Sequence, residues 1–178
     1  MKYWFSSDYH FGHANIIKYC DRPFSSVEEM NEKIISNHND RVSNDDVVFF
    51  LGDFCFKNSK GGKQGEGELL HSKEYIDKLN GNFVFIKGNH DKNNSLNAVI
   101  KSAVISIGGE KIYLVHNPAD YNDDYNINIV GHVHESWRTR KIGNTILVNV
   151  GVDVWNFKPI DIQEILKEVK NNRNIYKA

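Results

Sequence analysis

The chain has 178 residues, 40% hydrophobic and 25% charged, and its 22 basic against 23 acidic residues leave a net charge of −1. That length predicts one domain, here residues 1–178, and the composition excludes disordered and collagen-like chains. The balanced charge supplies no global basic field, which argues against long nucleic acid and anionic membrane as partners, and no run approaches the ~20 apolar residues of a membrane helix.

In chain order, residues 3–6 read as the first strand. Ser26-Val27-Glu28-Glu29 reads as a capping box, and Val27, Met30, Ile34 and Ile35 then recur at helical spacing. Residues 46–51 form a strand whose apolar run does not alternate, as expected when both faces are buried. Residues 57–67, rich in Gly and Lys, read either as a surface loop or as a lid beside a site, since they follow Asp53. Residues 69–79 predict a helix, 82–86 a strand and 95–101 a further helix. Residues 103–107 and 111–115 form a hairpin around Gly108-Gly109. Strands at 126–130 and 145–150 follow, then a helix at 161–170 with Ile162, Ile165, Leu166 and Val169 on one face. Strands alternating with helices argue for the α/β class.

The chain contains two cysteines, Cys20 and Cys55, too few for a disulfide-stapled secreted scaffold. With an N-terminal apolar run too short for a signal-peptide core, a cytoplasmic protein with reduced thiols is expected.

The chemistry lies where the strands stop. The first strand runs into Asp8-Tyr9-His10, the second into Gly52-Asp53 and the third into Gly88-Asn89-His90-Asp91. The strand at 111–115 ends in His116, and that at 126–130 ends in Gly131-His132-Val133-His134. Ligands of α/β sheets bind outside the carboxyl ends of the strands, so these clusters converge at one edge. Two aspartates, an asparagine and several histidines, without a thiolate, suit manganese, iron, zinc or similar ions. Asp8, His10, Asp53, Asn89, His116, His132 and His134 are too many ligands for one ion and enough for two if one carboxylate bridges. Two metals about 3.5–4 Å apart clamp both oxygens of an in-line phosphoryl displacement. Two divalent ions, two carboxylates and a bridging hydroxide leave the site net positive, which attracts phosphate. The hydroxide then supplies the nucleophile, so no serine or cysteine is required.

Asp8-X-His10, Gly52-Asp53, Gly88-Asn89-His90-Asp91, His116 and Gly131-His132-X-His134 together resemble the calcineurin-like metallophosphoesterase superfamily. Asp8-Tyr9-His10-Phe11-Gly12-His13, with Gly151-Val152-Asp153-Val154-Trp155, resembles its small bacterial and phage branch. The resemblance implies a four-layer αββα sandwich, two mixed β-sheets face to face with helices outside. It implies that Asp8, His10 and His134 hold the first metal, that Asp53 bridges, and that Asn89, His116 and His132 complete the second. His90 would contact the phosphate and protonate the leaving oxygen, and Asp91 would orient His90 by a hydrogen bond. Two divalent ions are implied, manganese first, with Fe, Zn, Ni or Co as alternatives. The arginines that grip substrate in the larger protein phosphatases have no counterpart here.

His13 either touches substrate or caps the next helix. Asn15 and Arg22 either bind a phosphate oxygen or are solvated loop residues. Trp155 either stacks on a ring of the substrate or packs in the core. His38 and His71 are expected at the surface. The leading expectation is a dinuclear phosphoesterase acting on a small diester or nucleotide. The alternatives are a phosphomonoesterase and a non-catalytic scaffold with this fold, as in the retromer scaffold subunit.

Overall fold

The computed structural model describes residues 1–56, 70–92 and 96–175. The segment expected as a loop or lid, 57–67, lies outside the described residues.

Strand β1 (Tyr3–Ser6) leads into helix α1 (Ala14–Tyr19) and helix α2 (Val27–Asn39). Ser26 caps α2 by accepting from the Glu29 N–H at 3.1 Å. The return half of the capping box is shifted by one residue, because the Glu29 carboxylate accepts from the N–H of Ser25 at 2.7 Å. Strand β2 (Val47–Leu51), helix α3 (Ser72–Ile76) and strand β3 (Asn82–Ile86) follow. β1, β2 and β3 are parallel neighbours, and the short strand β9 (Ile160–Asp161) adds antiparallel to the free edge of β1.

The second sheet holds β4 (Ser102–Ile107), β5 (Glu110–Val115), β6 (Ile127–Val130), β7 (Thr139–Ile142) and β8 (Thr145–Asn149), in the order β4-β5-β6-β8-β7. β5, β6 and β8 are parallel, while β4 and β7 are antiparallel to their neighbours. Helix α4 (Ile162–Ile175) ends the described chain. No helix among the described residues is long and apolar enough to cross a membrane.

The alternation of β2 explains its unbroken apolar run. Phe49 and Leu51 enter the core between the sheets with Phe5, Ile86, Ile112, Leu114, Ile129 and Val148. Phe50 faces the other way, into a layer with Ile16, Val27, Met30, Ile34 and Tyr75 of α1, α2 and α3. Ile162, Ile165 and Val169 of α4 join the core shared by the two sheets. The fold is thus two mixed sheets face to face with helices, as expected.

Three expectations need correction. The helix expected at 95–101 is not found in its described part, residues 96–101. Ile100 forms a parallel bridge with Ile86, and its carbonyl accepts from the Lys87 N–H at 2.7 Å, which keeps this backbone extended. The helix expected at 69–79 shortens to α3. His38 is fully buried rather than exposed: the Tyr9 hydroxyl donates to Nδ1 and Nε2 donates to the Asn80 carbonyl, both at 2.8 Å. A polar ring with both nitrogens bonded is tolerated in a core. The periodicity missed α1, β7 and β9, which are short or polar.

Candidate metal centre

β1, β2 and β3 run parallel in one sheet, and β5, β6 and β8 run parallel in the other, so the two sets of strand ends form two rims. The rims meet where Ser7 forms a parallel bridge with Gly151. A side chain at Gly131 would collide with the Ser7 hydroxyl and lie 2.7 Å from Asp8 Oδ2, so only glycine allows this approach.

The strand ends deliver their polar residues to one place. Asp8, His10 and His134 offer ligand atoms within 4.8 Å of one another, and so do Asp53, His116 and His132. Asn89 joins the second group: its Oδ1 lies 2.9 Å from His116 Nε2 and 2.8 Å from His132 Nδ1. Five of these residues have left-handed backbones, with φ of 59° at Asp8, 52° at His10, 57° at Asp53, 72° at His132 and 47° at His134. That conformation costs of order 1–3 kcal/mol for each residue other than glycine and concentrates at functional sites.

Both aspartates divide their oxygens. Asp8 Oδ2 accepts from the Ser7 hydroxyl at 2.6 Å and from the His132 N–H at 2.9 Å. Asp8 Oδ1 is buried without a hydrogen-bond partner among the described residues. Asp53 Oδ1 accepts from the His90 N–H at 2.9 Å, while Oδ2 lies 3.4 Å from His116 Nε2 and 3.7 Å from His10 Nε2. Both ring nitrogens of His10 are likewise buried without a hydrogen-bond partner among the described residues. Buried polar atoms without partners are expensive, and a cation between these groups would satisfy them. A site of oxygen and imidazole donors with unsatisfied atoms facing inward fits divalent ions.

Two further histidines show how ligand atoms are set. His116 Nδ1 donates to the Leu51 carbonyl at 2.6 Å, which leaves the Nε2 lone pair for a cation. His134 Nδ1 donates to Asp153 Oδ2 at 3.0 Å with the same result. Asn149 secures the loop beneath by donating to the carbonyls of His134 and Trp137, each at 2.8 Å.

The electrostatics agree. Burial raises the Asp8 carboxyl, partly offset by the charges of His116 and His134. Burial also acts to raise Asp53, but the bond and charge of His116, then His10 and the His90 N–H, hold it well below the usual carboxylate range. Burial pushes His10 well below its ordinary value, which keeps it neutral and able to ligate. Burial lowers His116 and His134, yet their carboxylate neighbours outweigh it and raise them to about 9 and about 10. Imidazoles held beside two carboxylates in this way exchange their protons for a cation when one binds.

His90 lies over the site with its ring 5.5 Å from that of His10, and it is exposed. Asp91, expected to orient His90, accepts from the N–H of Gly88 at 2.7 Å and of Asp53 at 3.2 Å, tying two ligand loops together. Arg22, expected at the substrate or in solvent, is buried: it donates to Asp153, to the carbonyls of Asp8 and Tyr9, and contacts Met30. Trp155 packs, with its Nε1 donating to the Asn149 carbonyl at 2.7 Å. His13 stacks on Phe56 with ring centroids 4.1 Å apart and lines the cavity beside His10. Asn15 is half-buried on α1 and does not line that cavity.

That cavity measures about 460 Å³ and is walled by His10, His134, His90, Ile16 and Tyr19; no lysine or arginine lines it among the described residues. A second cavity of about 500 Å³ adjoins Asn89 and His116 and carries Lys87 and Lys101. Asp153, Asn149 and the buried role of Arg22 escaped the sequence reading. Asp153 follows β8 as the ligands follow their strands, and that rule applied once more points to it.

The sequence matches the family model of the calcineurin-like phosphoesterase superfamily domain over residues 1–160. It is 38% identical to an uncharacterized protein of Methanocaldococcus jannaschii over 97% of this chain and 93% of that one. It is 26% identical to the Gene 66 protein of Mycobacterium phage L5, covering 85% of this chain and 86% of that one. Among solved structures, a protein of unknown function from Aquifex aeolicus superposes with a TM-score of 0.68 at 24% identity, over 93% of this chain and 98% of that one.

Proposed function

Because this chain belongs to the calcineurin-like phosphoesterase superfamily, and is thus a metal-dependent phosphoesterase, we propose that it works with two divalent ions on a small phosphodiester. The observation that carries the pairing is the division of oxygens. Asp53 Oδ2 lies between His10 and His116, one from each ligand group, so this carboxylate would be shared by the ions the two groups would hold. When bound, such ions neutralise phosphate charge and acidify the attacking water.

The chain's own residues do the rest. Asp8, His10 and His134 would hold one ion, Asn89, His116 and His132 the other, with Asp53 between them. His90 projects from a strand end beside the ligands and is free to place a proton on the leaving oxygen. Asp53 holds the His90 backbone in place through the bond to its N–H. Asp91 keeps the Asp53 and Gly88 loops in register, so ligands from two strands arrive at fixed separation.

The diester preference rests on two features. The cavity beside His10 has no lysine or arginine among its described walls, and Arg22 is committed elsewhere, so the extra charge of a monoester finds little compensation there. The two cavities flank the ligand groups and offer space for two ester arms. Turnover of an aryl phosphodiester and of its monoester, compared on one manganese-loaded sample, tests this. A diester rate well above the monoester rate is expected. The reverse order overturns the diester assignment, and no turnover of either overturns the catalytic one.

A further inference from the structure

Asp153 and Arg22 form a buried pair that reaches the first ligand group from two sides. Arg22 Nε donates to Asp153 Oδ1 at 2.8 Å and Nη2 donates to Oδ2 at 3.1 Å. The side chains are 0% and 3% exposed, so neither touches substrate. The same guanidinium donates to the Asp8 carbonyl at 2.7 Å and the Tyr9 carbonyl at 3.0 Å. Those carbonyls belong to the left-handed turn that presents Asp8 and His10. From its other side, Asp153 Oδ2 accepts from His134 Nδ1 at 3.0 Å. The pair therefore touches the backbone of the ligand Asp8, the backbone of Tyr9 between Asp8 and His10, and the imidazole of His134. Among the described residues, neither member is hydrogen-bonded to Asp53, Asn89, His116 or His132.

We propose that Asp153 and Arg22 are positioning residues specific to the metal site of Asp8, His10 and His134: Asp153 selects the ligand nitrogen of His134, and Arg22 locks Asp153 onto the Asp8–His10 turn. This rests on the two-metal reading above. The chemistry is that of a carboxylate holding the non-ligating nitrogen of a metal histidine, where loss of the carboxylate lowers metal affinity about 10–100-fold. Burial makes the arrangement rigid. A carboxylate with no arginine beside it would be an unpaired buried charge, so the two act as one unit. Cys20 lies within 4.8 Å of His134 and Asp153, but with Asp153 bonded to Arg22 and His134 this third group is part of the clamp.

The test is calorimetric titration of the metal-free full chain with Mn²⁺, with thermal unfolding of each variant alongside. Wild type is expected to take up two ions. Asp153→Ala is expected to weaken one of them about 10–100-fold and leave the other within a few-fold. Arg22→Ala is expected to weaken the same ion. The double variant should lose no more than the worse single one, because the residues act together. If Asp153→Ala does not fold, Asp153→Asn keeps the shape but offers a single acceptor oxygen where Arg22 and His134 use two, and it should weaken the same ion to a smaller extent. Uptake of fewer than two ions by wild type overturns the two-metal reading itself. Two ions in wild type, with variants that unfold earlier but bind both unchanged or lose both equally, overturn this inference alone and leave the pair a purely structural one.

Discussion

The backbone N–H of His132 donates to Asp8 Oδ2 at 2.9 Å across 124 residues of chain. This bond stitches the rim of one sheet to the rim of the other and sets the separation of two ligand loops. It forms because Gly131 lets the backbones meet. Gly131→Ala would put a methyl against Ser7 and Asp8. It should lower stability by about 1–3 kcal/mol, as overpacking does, and reduce metal uptake. Denaturant unfolding with and without Mn²⁺ measures both, and a variant as stable as wild type with equal uptake would count against the rim contact.

Metal removal should destabilise the chain. Asp8 Oδ1 and both His10 nitrogens are buried without hydrogen-bond partners among the described residues, and an ion held there binds the folded state alone. At a hundredfold excess over Kd, one ion adds about 2.7 kcal/mol. For a chain of this size that raises Tm by about 5–10 °C. Thermal unfolding in chelator and in excess Mn²⁺ gives the difference, and equal midpoints would show that these atoms are satisfied in another way.

His90 is exposed and belongs to neither ligand group. His90→Ala should therefore fold and take up metal as wild type does. Its kcat on an aryl diester should fall about 10²–10⁴-fold, the usual range for loss of a proton donor. A fall below tenfold would remove His90 from the reaction.

His38 makes stability depend on pH. Its ring is fully buried, and burial lowers its pKa from 6.5 to about 4. The unfolded chain then takes up a proton near pH 6.5 that the folded chain refuses until about pH 4. The contribution is complete above pH 6.5 and is lost as pH falls toward 4, to a total of about 3 kcal/mol. The stability difference between wild type and His38→Gln should shrink over that window. A difference that does not change with pH would show that His38 is not held neutral.

Much of the candidate site is legible in the sequence because its signal is local. A run such as Val47 to Leu51 must be a strand, and Asp53 directly after it must lie at the strand end, so short-range spacing already names the ligand positions. Strand boundaries for β1 and β3 follow from the same runs. What spacing could not show is the partner of a polar side chain when that partner is far away in sequence. Arg22 and Asp153 stand 131 residues apart, and a guanidinium near a phosphate motif looks like a substrate grip until its donors are seen to be spent inside. His38 looked like a helix-surface residue because its cavity is made by Tyr9, Asn80 and Phe83, from three separate segments. Residue type and local pattern determine which groups can do chemistry and where a strand hands them over. Only the packing of one sheet on the other decides which of them face a cation and which are consumed in holding the others still, because burial and hydrogen-bond pairing belong to contacts between distant segments.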